Sequence, residues 1–375
     1  MKLRKKIFIS TGKIAFGKMI IYKDKKYNFI EYFNPKNGFL IRGDVIGQKG
    51  INPRERSYPE LLDIGIMGQC HISQLGICKK AGIDCYQQAL LKKSPNMSLE
   101  NYEKILIESQ GKTFQIALGG AGDPNKHEKF AEILKLTRKY NIVPNLTTSG
   151  IFITEDEIKL IKTYCGACAI SFYSRLDSGI NETNIETIET INKLIKANCT
   201  TNIHFVISKD TIEEAIIRLE NNLFPKGINA IIFILYKATG FGQIDKILNF
   251  NNKYFQKFLD IINNKKFDFQ IGFDTCCTPA ILKKCSKIPI ESLDFCEAAR
   301  FSMYIDSEMN AYPCSFDCSN KKWAVSLKNN SIQEVWDSKV FSTFKDNYYN
   351  SCLNESCKKS CGGQCALGLC QSICK

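Results

Sequence analysis

Hydrophobic and polar positions change their rhythm twice along this chain. Up to about residue 60, short apolar runs alternate with turn signals, as in KIAFGKMIIYKDKKYNFIEYF followed by NPKNG. That spacing predicts a small β-meander, ended by the basic turn NPRERSYP between Pro53 and Pro59. From Leu61 onward, apolar runs are separated by amphipathic stretches. The runs at 61–67, 114–118, 142–147, 168–173, 203–207 and 230–235 are apolar almost throughout. Strands buried on both faces of a parallel sheet read this way. The intervening stretches carry helix-start signals. Ser98 and Asp210 suit N-caps, Thr154 with Glu157 suits a capping box, and Asp123 with Pro124 suits a first turn. Six strand–helix units in a row predict a parallel α/β fold with its chemistry at the C-terminal ends of the strands. The pattern alone does not choose between an open sheet and a partial barrel. Beyond about residue 265 the alternation stops, and the Cys-rich tail is of the kind that needs metal or disulfide staples. Three regions result: 1–58, a small β region; 59–265, the α/β unit; and 266–375, the Cys-rich unit.

The 375 residues allow one large domain and a smaller one, with a sizeable core. No run approaches the 18 or so apolar residues of a membrane span. The apolar stretch Ile7–Ile9 is too short for a signal peptide, so the chain reads as cytoplasmic, with no membrane partner. The formal charge of +13 comes from scattered lysines. Without a basic stripe interleaved with aromatics, it does not point to nucleic acid. The 18 cysteines change the picture most. In a cytoplasmic chain, grouped cysteines point to metal or catalysis rather than disulfides. They fall into Cys70, Cys78 and Cys85, then a dense set from Cys276 to Cys374.

The first group lies on a long loop after the first strand, in LLDIGIMGQCHISQLGICKKAGIDCYQQ. Three thiolates there can hold three irons of a [4Fe–4S] cluster and leave one iron open for chemistry. The competing reading is a structural zinc loop, with His71 as the fourth ligand although it adjoins Cys70. After the second strand, FQIALGGAGDP puts Gly119 and Gly120 where a ligand can approach the backbone. Polar residues follow later strands: Thr148 and Ser149 in NLTTSG, Ser171 and Arg175 in SFYSR, and the turn YKATGFG. Cys165 and Cys168 form a CxxC that reads as buried small hydrophobes, and Cys199 as structural. His127–Glu128 reads equally as a polar site or a solvated helix start.

PELLDI, the three cysteines and then CYQ resemble the first strand and cluster loop of radical S-adenosylmethionine (SAM) enzymes. The family's usual intervals are three and two residues; here they are seven and six. Its Gly-Gly-Glu motif, which contacts the SAM amino group, has Ala121 in place of Glu, with Asp123 nearby to compensate. The tail, CEAARFSMYIDSEMNAYPC, then SIQEVWDSKVF, then CLNESCKKSCGGQCALGLCQSIC, resembles the SPASM domain of radical SAM maturases. Met309 or Asn310 falls where that domain usually has a turn glycine. The chain also looks like a group of candidate peptide maturases that carry GGxGDP, HE, IVPN and TTSG in this order.

The resemblance implies a partial (β/α)6 TIM-like barrel, a small N-terminal β region and a Cys-rich auxiliary-cluster domain. It implies that Cys70, Cys78 and Cys85 hold the SAM-binding [4Fe–4S] cluster, and that Gly119, Gly120, Asp123, Ser149 and Ser171 line the SAM site. One or two auxiliary [4Fe–4S] clusters follow. Cys277, Cys296, Cys314 and Cys365 would hold one, with Cys277 chosen over Cys276 and Cys285. Cys352, Cys357, Cys361 and either Cys370 or Cys374 would hold the other. The implied activity is reductive cleavage of SAM to a 5′-deoxyadenosyl radical that modifies a short ribosomal precursor peptide by thioether or carbon crosslinking. The implied electron donor is a one-electron reductant such as ferredoxin or flavodoxin. A formylglycine-type maturase of a protein substrate and a zinc-binding scaffold without catalysis are the alternatives. The sequence marks no residue for proton or hydrogen transfer.

Overall fold

Three antiparallel strands, β1 (Ile20–Asp24), β2 (Phe29–Phe33) and β3 (Leu40–Asp44), form the predicted meander in the order β1-β2-β3. The computed structural model describes residues 19–36, 38–44, 55–80, 82–176, 184–289, 292–350 and 365–369. On β2 the buried positions alternate, Phe29, Glu31 and Phe33. Phe33 stacks on Phe114 of the main domain, ring centroids 5.0 Å apart. Glu31 is fully buried and receives Nε of the equally buried Arg56 at 2.8 Å. Arg42 of β3 adds ion pairs to Glu60 at 2.9 Å and Glu297 at 3.3 Å. This charge cluster ties the N-terminal sheet to the barrel entrance and to the Cys-rich region.

The main domain runs β4 (Leu61–Ile64), the loop helices α1 (His71–Gln74) and α2 (Ile77–Lys80), α3 (Leu99–Ser109), β5 (Gln115–Leu118), α4 (Phe130–Lys139), β6 (Val143–Thr148) and α5 (Glu155–Tyr164). It continues with β7 (Cys168–Ser171), α6 (Ile185–Lys196), β8 (Thr201–Ile207), α7 (Ile212–Asn221), β9 (Ala230–Leu235), α8 (Lys253–Asn264), β10 (Gln270–Phe273) and α9 (Thr278–Lys284). The six predicted strands are present, all parallel. A seventh parallel strand, β10, joins β9 from beyond residue 265. Local chemistry sets the helix starts. Ser98 Oγ accepts the Asn101 N–H, and the Thr154–Glu157 capping box is complete. The cap of α7 is Thr211, one residue after Asp210. Asp123 precedes a 3₁₀ turn, Pro124–Lys126, without capping it.

The strands alternate rather than burying both faces equally. Leu62, Ile64, Phe205 and Phe233 have no exposed surface, whereas Asp63, Asn202, His204 and Ile232 are only half-buried. The second set faces the concave side, where space remains. In a flat sheet, β4 and β10 would lie six strand spacings, or about 29 Å, apart. Instead Asp63 of β4 lines the same cavity as Asp274 after β10, so the sheet is curled into a partial barrel.

The Cys-rich region continues that sheet. β11 (Ser302–Ile305) pairs in parallel with β4, and β12 (Asn310–Tyr312) and β13 (Val325–Ser326) follow antiparallel. Asp306 closes the β11–β12 turn, its Oδ1 accepting the N–H groups of Glu308 at 3.0 Å and Asn310 at 2.9 Å. Met309 occupies the left-handed region there, at φ 65°. Helices α10 (Ile332–Trp336) and α11 (Lys339–Asn350) follow, and Trp336 Nε1 donates to the Arg56 carbonyl at 2.9 Å. No described helix is long and apolar enough to cross a membrane.

Candidate functional site

β4 is followed by GIMG, residues 65–68, whose two glycines are needed for packing. A Cβ on Gly65 would lie 2.3 Å from Tyr304 Oη, and one on Gly68 would lie 2.1 Å from the Ser94 carbonyl oxygen. The chain then makes two short helices that turn Cys70, Cys78 and Cys85 toward one another. All three pack in one cluster with Ala89, Ala121, Ile151 and Tyr173. Cys70 caps α1, its Sγ accepting the Ser73 N–H at 3.4 Å. The end of the loop is clamped by the segment after β9. Phe241 N–H donates to the Cys85 carbonyl at 3.0 Å, and Tyr236 Oη and Lys246 Nζ each donate to Asp84 Oδ2 at 2.8 Å. Gly240 makes this contact possible, since a Cβ there would meet the Tyr86 carbonyl oxygen at 2.3 Å.

Burial pushes the Cys70 thiol up, and it pushes Cys78 up to about 11, with Cys70 and Cys85 adding to the rise. Three thiolates held together out of water need a cationic centre to offset their charge, and metal binding releases their protons. Among the described residues, no three His, Cys, Asp or Glu side chains close to the spacing of a single ion. A mononuclear zinc gathers its sulfurs at about 2.3 Å from one centre, whereas a cubane takes one thiolate on each of several irons. Three thiolates are donors that suit a zinc ion and an iron–sulfur cluster alike. Both ring nitrogens of His71 are buried without a hydrogen-bond partner among the described residues.

Gly119 and Gly120 follow β5 beside this loop. Gly120 sits at φ 97°, and a Cβ there would lie 2.9 Å from Gly65 Cα. Among the described residues, Gly119 has nothing closer to an ideal Cβ than Thr147 at 3.8 Å and Asp63 Oδ1 at 4.0 Å. Asp123 is buried, and Ser149 occupies both its oxygens: the Ser149 N–H donates to Oδ1 at 2.7 Å and Oγ to Oδ2 at 2.5 Å. The pair staples the β5 loop to the β6 loop. Ser171 ends β7, half-buried, opposite His204.

A second thiol group closes the side of the barrel. A cavity of about 180 Å³ is lined by Cys276, Cys296, Cys314 and Cys365, together with Asp63, Lys237, Asp274 and Tyr304. Burial, then Cys365 and Cys276, pushes Cys296 up to about 12, and Cys314 rises for the same reasons. Cys277 is not with them. It is 1% exposed and belongs to the main core, as does Cys285, while its neighbour Cys276 faces the cavity. Cys352, Cys357, Cys361, Cys370 and Cys374 lie outside the described residues. Cys165, Cys168 and Cys199 pack in or against the core. His127 is buried, with Nε2 3.0 Å from the Met97 carbonyl oxygen, and Glu128 is exposed.

Sequence reasoning passed over several residues. Cys318 is buried against Tyr304 and Tyr312, and its thiol is pushed up to about 12 by burial, with Cys85 and Asp63 among its charged neighbours. Lys237 donates to Asp274 Oδ2 and to the Leu235 carbonyl beside the Phe316 ring. Asp63 is an acid inside an apolar strand, and that interruption was the visible signal.

No protein-family model matches the chain, and no curated protein sequence is similar to it. Solved structures do resemble it. Streptococcus suis SuiB bound to precursor peptide SuiA has a TM-score of 0.68 at 16% identity, covering 95% of this chain and 94% of that one. SuiB bound to S-adenosylmethionine gives 0.66 at 16% identity over the same shares. Native anSMEcpe with bound AdoMet and Kp18Cys peptide gives 0.55 at 17% identity, over 82% of this chain and 89% of that one. The chain therefore has the fold of SuiB over nearly its whole length and shares most of it with anSMEcpe.

Proposed function

We propose that this chain is a radical SAM enzyme that cleaves SAM reductively and crosslinks a short ribosomally made peptide. The observation that carries the reading is the pair of thiol sets. Three cysteines, an incomplete set, sit at the C-terminal end of the first barrel strand beside the open face of Gly119. Four more surround the cavity that closes the barrel. An incomplete set leaves a coordination position for a reactant, and a four-cysteine set saturates a cluster. Support comes from the shared fold, since SuiB is bound to SAM in one structure and to a precursor peptide in another.

In this reading Cys70, Cys78 and Cys85 hold the SAM cluster. Gly119 and Gly120 let SAM approach the backbone, Asp123 and Ser149 fix the floor beneath it, and Ser171 contributes a hydroxyl from β7. Cys276 takes the place first given to Cys277, with Cys296, Cys314 and Cys365. Cys352, Cys357, Cys361 and Cys370 or Cys374 would hold a further cluster. When bound, the cluster and SAM supply a carbon radical able to abstract hydrogen from an unactivated C–H bond. The protein's own work is to orient the substrate and exclude water. A one-electron reductant such as ferredoxin or flavodoxin would feed the site, and the chain would act in the cytoplasm.

The test is anaerobic purification followed by co-expression with short peptides encoded beside the gene. Roughly 8–12 irons per chain, at four per cluster, are expected. The chain should form 5′-deoxyadenosine, and a neighbouring peptide should lose about 2 Da per link. Stoichiometric zinc without iron, or SAM cleavage with no peptide changing mass, would overturn the corresponding half of the reading.

A further inference from the structure

Among the described residues, β10 is an open edge of the barrel sheet, bonded to β9 on one side only. Its ladder uses alternate residues: the Gln270 N–H donates to the Asn229 carbonyl and the Asp274 N–H to the Phe233 carbonyl, each at 3.0 Å. Main-chain groups alternate in direction along a strand, so Ile271 and Phe273 turn theirs away from β9. Among the described residues, neither of those N–H groups has a hydrogen-bond partner. Proteins usually blunt such an edge with a charge or a proline. The outer strands of the N-terminal sheet follow that rule with Lys23 and Arg42, whereas β10 reads QIGF and carries neither. Beside β10 lies a cavity of about 410 Å³, within the size range of ligand pockets. Phe267, Phe269, Ile271, Ile288 and Leu293 give it an apolar wall. Its charged lining residues are Asp294 and Glu297, with no described Lys or Arg, in a chain whose formal charge is +13. Thr275 and Glu297 line this cavity and the thiol cavity alike, so the two adjoin.

We propose that β10 and this cavity form the docking groove of the peptide substrate, which adds to the open edge as an extended strand and brings a Lys or Arg to Asp294. This rests on the peptide-modifying reading above and deepens it by naming the surface that holds the peptide and the residues it selects. In strand addition, main-chain bonds supply affinity and pockets for alternate side chains supply specificity. The outward N–H and C=O groups of Ile271 and Phe273 offer the first. The apolar wall offers the second, to peptide side chains two residues apart on one face of the strand. Followed from Gln270 to Phe273, the edge leads to Thr275 and so to the thiol cavity. A peptide laid along it is anchored outside the barrel and presents its next residues inside.

The charge at the groove fits a basic side chain. Among the described ion pairs of this cluster, the two guanidinium groups of Arg42 and Arg56 serve four carboxylates, Glu31, Glu60, Asp294 and Glu297. The cluster is formally short of positive charge. Glu297 is held by Arg42 at 3.3 Å, but Asp294 reaches Arg42 only at 3.8 Å and its side chain is 65% exposed. Asp294 is therefore the acid open to an incoming cation. A pair at such an exposed margin adds little affinity, and its work is to select charge and steer the approach. The main-chain edge and the apolar wall carry the binding.

The test uses the full anaerobic chain and, as probe, a synthetic copy of the peptide found by co-expression. Residue-resolved hydrogen exchange should show the Ile271 and Phe273 amides exchanging fast in the free chain and slowly with the peptide bound. Slow exchange before the peptide is added means that another part of the chain covers the edge, and overturns the proposal. Protection confined to Ile20–Asp24 or Leu40–Asp44, the outer strands of the N-terminal sheet, overturns it too. Ile271→Pro removes an N–H that the β9 ladder does not use, at the kind of edge position where strands accept proline. It should raise the peptide's Kd by about fivefold or more, because a peptide carbonyl loses its donor. An unchanged Kd refutes the strand pairing. Should Ile271→Pro not fold, Asp294→Lys at its exposed site serves, with Kd raised about threefold or more at low salt and less at high salt. The same Kd as the parent at both salts refutes the charge selection. If no neighbouring peptide binds the parent chain, the peptide reading and the groove fall together. If a peptide binds and is modified while β10 stays unprotected, the reading stands and only the groove falls.

Discussion

The two adjacent glycines after β5 make opposite demands, and substituting each with alanine separates folding from ligand approach. At Gly120 the backbone is left-handed, which costs an L-residue about 1–2 kcal/mol. Its Cβ would also lie 2.9 Å from Gly65 Cα, a backbone atom that cannot swing aside. Overpacking of that kind costs about 1–3 kcal/mol. Gly120→Ala should therefore destabilise by about 2–5 kcal/mol. Unfolding entropy near 2.1 cal/mol/K per residue over 375 residues gives about 0.8 kcal/mol/K, so Tm should fall by about 3–6 °C. Among the described residues, Gly119→Ala meets nothing closer than 3.8 Å. It should leave Tm unchanged or raise it slightly, because alanine narrows the unfolded ensemble by about 0.4–1 kcal/mol. Its methyl would fill the space proposed for SAM. If it costs binding about 1–3 kcal/mol, Kd rises roughly 5- to 150-fold. Differential scanning calorimetry and anaerobic SAM titration read the two effects. A Gly119→Ala chain that loses stability, or that binds SAM as the parent does, would refute the claim that this glycine faces the ligand.

Changing Cys70, Cys78 and Cys85 together to Ala should remove about four irons and abolish reductive SAM cleavage while the remaining iron stays, as read by iron analysis and 5′-deoxyadenosine chromatography. Cys276→Ala should lower iron content, whereas Cys277→Ala should leave iron intact and cost roughly 1 kcal/mol of core packing, read by metal analysis and Tm. Arg56→Ala takes from the fully buried Glu31 its hydrogen-bonded partner, leaving it only the 3.4 Å ion pair to Arg42, and should destabilise by about 3 kcal/mol in thermal unfolding. His204 is pushed down to about 4 by burial, so the unfolded chain binds the extra proton between about pH 6.5 and 4. The stability linked to it is intact above pH 6.5, is lost progressively as pH falls below 6.5, and the loss is complete below about 4. His204→Gln should reduce the parent's loss between pH 7.5 and 5 by roughly 2 kcal/mol, measured by urea unfolding at both values.

The parallel α/β order was legible because each strand is a local apolar run, and the Thr154 box and Ser98 cap are local too. What escaped depends on long-range contact. β10 is four residues, QIGF, and becomes a barrel strand only by pairing with β9. β11 reads as a strand of the Cys-rich unit, yet it pairs with β4, more than two hundred residues earlier, so that unit extends the barrel sheet. The choice between Cys276 and Cys277 turns on which of two neighbours in one 3₁₀ turn faces the cavity, and spacing carries no such information. Met309 stands where a glycine was expected and adopts the left-handed backbone anyway. Its side chain is 2% exposed, and burying it offsets a strain of about 1 kcal/mol or more.

The electrostatics of the barrel join these pieces. Burial raises the Cys78, Cys296 and Cys314 thiols against ionisation, and neighbouring cysteines raise them further. Evolution toward disulfides would have paired them, yet every described cysteine is free. Evolution toward an inert core would have spread them among apolar neighbours, as it did with Cys168 and Cys277. Instead seven described cysteines are gathered at two places on the concave side, with Asp63, Cys318 and Tyr304 between them. As thiols they can share these apolar surroundings; as thiolates they would need a positive centre to offset their charge.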